Sequence, residues 1–123
     1  MTRPLLDPRQ YSAAALVRLS AFHPQVIAKV MRAIEESPVV VIGMRGNPHV
    51  KRARKALADA SIRFEYIEYG SYASGWKQRL AVKLWSGWPT FPQVFVRGML
   101  IGGADQASAA LADGSLKEMI GAQ

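Results

Sequence analysis

An α/β domain built on a mixed four-stranded sheet flanked by helices is what this sequence predicts, and three features predict it. Val39-Val40-Val41-Ile42 is an unbroken β-branched run, the pattern of a strand buried on both faces in the middle of a sheet. Val94-Phe95-Val96 and Met99-Leu100-Ile101, separated only by Arg97-Gly98, read as two short strands joined by a tight turn. Helical patterns around them complete the order helices–βαβ–α–ββ–α, which places helices over a sheet. At 123 residues with half of them apolar, the chain fits one domain with a genuine core.

Residues 1–10 carry two prolines and mixed charge and read as an extended lead-in. Ser12 can cap a short helix containing Ala13, Leu16, Val17 and Leu19. Pro24 suits the first turn of a second helix, in which Val26, Ile27, Val30, Met31 and Ile34 recur at helical spacing. Residues 1–36 are thus expected to form an N-terminal helical extension packed on a domain of residues 37–123. After Ser37-Pro38 and the β-branched run, Met44-Arg45-Gly46 reads as a turn. Asn47-Pro48 opens the next helix, with Val50, Ala53, Ala56, Leu57 and Ala60 as its inner stripe.

Phe64 to Tyr69 is expected to be a strand, followed by a loop through Gly75. A helix marked by Trp76, Leu80, Ala81, Leu84 and Trp85 ends at Ser86-Gly87. Phe91-Pro92 restricts the backbone and can carry a cis peptide. Gly102-Gly103 permits a close backbone approach, and Asp105 is read as the cap of a helix that Gly114 stops. Ser115-Leu116-Lys117-Glu118 has the pattern of a capping box for a last short helix.

Composition removes several function classes. With no cysteine, the chain itself can offer no disulfide, no thiol nucleophile and no thiolate metal ligand. His23 and His49 are far apart and form no metal motif. No apolar run approaches the roughly 20 residues of a membrane span. The N-terminus lacks a signal-peptide layout, so a cytoplasmic protein is expected. The net charge of +7 favours anionic partners in general. Lys51, Arg52, Arg54 and Lys55 could steer an acidic protein, but no aromatic interleaving supports nucleic-acid binding. Trp76, Trp85 and Trp88 read as core and turn packing.

The stretch Trp88-Pro89-Thr90-Phe91-Pro92-Gln93, followed by a hairpin and Gly102-Gly103-Ala104-Asp105, resembles the C-terminal half of a glutaredoxin, particularly of the monothiol branch. That resemblance implies a thioredoxin-like fold. It also implies that the active-site window lies at Asn47-Pro48-His49-Val50, where family members carry sequences like Cys-Pro-Tyr-Cys or Cys-Gly-Phe-Ser. Asn47 therefore stands where the nucleophile would be, and a carboxamide cannot form a mixed disulfide. The loop that monothiol members usually place before the cysteine is also missing.

The resemblance further implies a glutathione groove. Arg45 and Arg79 would meet the glycyl carboxylate, and the backbone of Phe91 ahead of Pro92 would pair with the cysteinyl residue. Gly103, Ala104 and Asp105 would hold the γ-glutamyl end, with Asn47 and His49 beside the groove. Taken singly, Asn47 is an ordinary N-cap, each arginine a solvated charge and Asp105 a helix cap. Jointly they point to a domain that binds glutathione, a glutathionylated protein or an extended peptide without thiol chemistry. Two alternatives stand beside it. One is a monothiol-type redox or iron–sulfur cluster protein, for which the protein ligand is missing and a cluster is not expected. The other is a basic adaptor for an acidic partner. The sequence does not fix an oligomeric state.

Overall fold

The computed structural model describes residues 4–121, so the first three residues of the expected lead-in lie outside the described residues. A 3-10 turn at Pro8–Gln10 precedes α1 (Ala13–Ser20) and α2 (Pro24–Glu36). There follow β1 (Val39–Arg45), α3 (Pro48–Asp59), β2 (Glu65–Ser71), α4 (Trp76–Ser86), β3 (Gln93–Val96), β4 (Met99–Gly102), α5 (Ala104–Ala112) and α6 (Ser115–Gly121). The sheet order is β2-β1-β3-β4. β1 runs parallel to β2 and antiparallel to β3, and β3 and β4 form the hairpin.

β1 is central because its side chains are apolar on both sides. Val40, Ile42 and Met44 face one cluster with Val26, Val30, Ala33, Ala81, Val82 and Phe95. Val39 and Val41 face the other with Leu57, Val94, Val96, Ala107 and Leu116. Alternation along a strand delivers successive residues to opposite faces, so the continuous run of the sequence is what a sheet sandwiched by helices requires. α2 shares in the first cluster, whereas α1 buries no residue. The hairpin turn is left-handed at both central residues, Arg97 (φ 51°) and Gly98 (φ 79°), which matches the twist of the flanking strands.

Several boundaries differ from the sequence expectation. β1 continues through Met44 and Arg45, because Arg45 still pairs with Ser71 of β2 after an irregularity in the ladder. The turn is left to Gly46, whose φ is +82°. β2 begins at Glu65 and outlasts Tyr69, closing at Ser71. α5 begins at Ala104 with Gly103 as its N-cap, so Asp105 lies inside the first turn and is not the cap. The expected capping box at Ser115 does not form. Asp113 accepts the Ser115 N–H (2.8 Å) instead, and hydrogen bonding from Ser115 holds its carboxyl below the usual range. Trp76 is exposed rather than packed, and α4 buries Arg79, Ala81 and Val82.

The contact of β1 with α3 sets the position of the helix that carries the window. At Gly43 an added Cβ would sit 2.6 Å from Val50 Cγ1 and 2.9 Å from Tyr66 Cε1. Those atoms belong to a fully buried valine and a ring fixed under Arg54, so neither yields freely. Overpacking of this kind costs about 1–3 kcal/mol. Gly43→Ala is therefore expected to lower the stability measured by urea unfolding by that amount, with an unchanged m-value.

Candidate functional site

The site is assembled where three chain segments meet: the N-terminus of α3, the Trp88–Pro92 loop and the N-terminus of α5. Asn47 makes the first junction. Its Oδ1 accepts the N–H groups of His49 (2.9 Å) and Val50 (3.3 Å), capping α3. Its Nδ2 reaches the carbonyl of Phe91 at 3.4 Å. One buried carboxamide thus caps the helix and ties it to the loop. The Phe91–Pro92 peptide bond is cis.

Gln93 makes the second junction from the start of β3. Wholly buried, it donates from Nε2 to the carbonyl of Trp88 (3.0 Å) and so pins the other end of the loop. At the third, Gln106 Oε1 accepts the N–H of Gly103 (2.9 Å). Gly102 has φ +123°, and a Cβ there would lie 2.7 Å from Gln106 Cγ, so this chain reversal accepts only glycine.

Between these segments lies a cleft of about 280 Å³. Phe91, Pro92, Gly103 and Ala104 form its buried floor, and His49, Arg52, Thr90 and Asp105 its exposed rim. The N–H of Phe91 has no protein partner among the described residues, and its carbonyl keeps a second lone pair beyond the long contact with Asn47. An extended chain laid along the loop can therefore pair with it strand-fashion. The opening N–H groups of α5 face no capping side chain, since Gly103 has none.

Six of the residues expected at the groove line this cleft: His49, Phe91, Pro92, Gly103, Ala104 and Asp105. Asn47 lies directly behind it through Phe91. The two expected arginines do not join it. Arg45 sits exposed at the end of β1 beside Ser71. Arg79 is buried, and its Nη1 donates to the carbonyls of Tyr69 (2.8 Å) and Ser74 (2.6 Å). The reason is local: Gly70 near the end of β2 and Gly75 ahead of α4 approach so closely that the nearby carbonyls of Tyr69 and Ser74 share one donor. Burial raises the Tyr69 hydroxyl in the same region above the usual tyrosine range.

Arg52 was missed by sequence reasoning as a site residue. Its Nη1 pairs with Asp105 Oδ1 (2.9 Å) and its Nη2 contacts His49 Nδ1 (3.2 Å), linking α3 to α5 over the cleft. Two of the remaining cations of that helix are also engaged. Arg54 stacks 3.8 Å over the Tyr66 ring and Lys55 pairs with Asp59 at 2.6 Å. Burial, helped by the hydrogen bond to Glu68, raises the Tyr66 hydroxyl to about 12. Of the basic row, only Lys51 lacks such a partner among the described residues.

A four-stranded mixed sheet with a cleft between a helix N-terminus and a proline loop defines a thioredoxin-like protein of the glutaredoxin type. The comparisons with known proteins agree, and the chain belongs to the glutaredoxin family: the Glutaredoxin family model matches residues 39–101. It is 47% identical over 98 residues to a glutaredoxin-like protein of Dictyostelium discoideum, covering 80% of each chain. It is also 32% identical over 100 residues to glutaredoxin 4 of Escherichia coli, covering 76% of this chain and 84% of that one. Among solved structures it resembles a buckwheat glutaredoxin–glutathione complex, with TM-score 0.70, 27% identity, and 79% of this chain and 88% of that one covered. No helix among the described residues is long and apolar enough to cross a membrane.

The inward-facing guanidinium yields a prediction. Arg79→Ala leaves two close carbonyls without their donor, at a cost of about 1–3 kcal/mol. Thermal unfolding should register that loss, and amide exchange should accelerate first in the segment Ser71–Gly75.

Proposed function

We propose that the cleft binds glutathione, or an extended peptide carrying it, and performs no thiol exchange. The observation carrying this reading is the cleft beside Phe91 and Pro92, which keeps an unpaired backbone N–H for a strand-like ligand while the head of α3 carries the carboxamide of Asn47 and no thiol. The likeness to a glutaredoxin solved as a glutathione complex supports it. Phe91 would pair with the middle of the tripeptide, and the first turn of α5 would receive its γ-glutamyl end. Arg79 is committed to Tyr69 and Ser74 and Arg45 lies outside the cleft, so neither is assigned to the glycyl carboxylate.

Chemistry at the ligand sulfur is absent from this reading. Asn47 offers its oxygen to two backbone N–H groups and has no electron pair suited to attack on a disulfide. An iron–sulfur cluster would need a thiolate ligand that the chain does not supply, so its residues do not fit that group. A cytoplasmic setting, where reduced glutathione is plentiful, is consistent with the proposal.

Titration calorimetry tests it. Glutathione should bind saturably in the millimolar range or below, and S-methylglutathione should bind comparably because no protein sulfur is involved. Turnover in a hydroxyethyl-disulfide reduction assay should stay at the blank rate. No heat at millimolar glutathione overturns the binding reading, and turnover above blank overturns its non-catalytic part.

A further inference from the structure

We infer that Arg52 is a specificity-determining residue of the cleft: it leaves Asp105 when ligand binds and takes the α-carboxylate of a free amino-acid head group, whose ammonium takes Asp105. This rests on the binding reading above and assigns to its γ-glutamyl end a recognition element on α3.

The geometry points to this exchange. The Arg52–Asp105 pair (2.9 Å) spans the cleft between the N-terminal turns of α3 and α5. Both side chains are exposed, at 45% and 82%, so water and salt screen their attraction and opening the pair costs little. A zwitterion fits between the separated partners. Its ammonium meets the carboxylate of Asp105 and its carboxylate meets the guanidinium, so one ion pair becomes two. Arginine suits the second contact because its planar fork can hold both carboxylate oxygens.

His49 supplies the alternative anchor. Its Nδ1 already lies 3.2 Å from Arg52 Nη2. The guanidinium can keep that contact while the opposite nitrogen turns from Asp105 to the ligand. The opening N–H groups of α5 lie beside the same point and favour a negative group there. The combination selects a ligand with both charges on one carbon. An ordinary internal peptide residue, whose nitrogen is acylated and whose carboxyl is an amide, has neither charge.

The discriminating experiment compares two ligands on two proteins by titration calorimetry. The ligands are glutathione and 4-aminobutanoyl-cysteinyl-glycine, which keeps the ammonium but lacks the glutamyl α-carboxylate. The parent should bind the analogue about five- to tenfold more weakly than glutathione, and Arg52→Ala should cut that preference to about twofold or less, the remainder belonging to the N–H groups of α5. Arg52→Lys should restore part of the preference, as a point charge without the fork. If the parent binds glutathione but Arg52→Ala shows the same discrimination, or binds glutathione as tightly or more tightly, the inference is overturned while the binding reading stands. If the parent binds neither ligand, both fall together. Parallel circular-dichroism melts confirm that the variants are folded, and an unfolded Arg52→Ala is replaced by Arg52→Gln.

Discussion

The site depends on one carboxamide that holds a helix end against a proline loop. Asn47 uses both ends of its side chain, the oxygen for two N–H groups of α3 and the nitrogen for the carbonyl of Phe91. An asparagine cap of this kind is worth about 1 kcal/mol to the helix alone. Its larger consequence is positional. With α3 anchored at the loop, His49 and Arg52 are carried to one rim of the cleft, opposite Asp105. Gln93 repeats the device at Trp88, so the loop is pinned from a helix on one side and a strand on the other.

Behind that junction, the sheet works as a rigid partition. β1 sends alternate side chains into two separate apolar clusters, and no other strand contributes so evenly to both. α3 and α5 cover the second cluster through Leu57 and Ala107, and their N-terminal ends emerge side by side at the cleft. The spacing of the rim is therefore set by core packing, and the exposed rim side chains remain free to rearrange. Rigid backbone beneath adjustable charges is a favourable arrangement for binding, because little order has to be created when ligand arrives.

Most of the fold was legible in local sequence, and the reasons are physical. Val39–Ile42, Asn47-Pro48 and Arg97-Gly98 each encode their conformation within a few residues, through β-branching, capping and turn chemistry. The misreadings share a different cause. Asp105 and Ser115 have the composition of helix caps, but Gly103 is the N-cap of α5, and Ser115 is already the first residue of α6, giving its own N–H to Asp113. Arg79 looks like any surface arginine. Its burial accompanies a tight chain reversal at Gly70 and Gly75 that brings the carbonyls of Tyr69 and Ser74 to one donor, which no periodicity reports. The partnership of Arg52 with Asp105 is likewise a product of two helices meeting in space, so α3 reads in sequence only as a basic row.

The N-terminal ends of α3 and α5 at the cleft differ in what they offer an anion. A catalytic thiolate at a helix N-terminus needs the orphan N–H groups left free to stabilise its charge. Asn47 consumes them with a neutral oxygen, so the end of α3 no longer favours an anion at that point. Anion-favouring capacity persists elsewhere around the cleft, on Arg52 and on the uncapped first turn of α5. The groups that favour an anion therefore lie at the rim of the cleft rather than at the head of α3. On the proposed reading, selectivity would come from the charges that a ligand presents to Arg52, Asp105 and the first turn of α5.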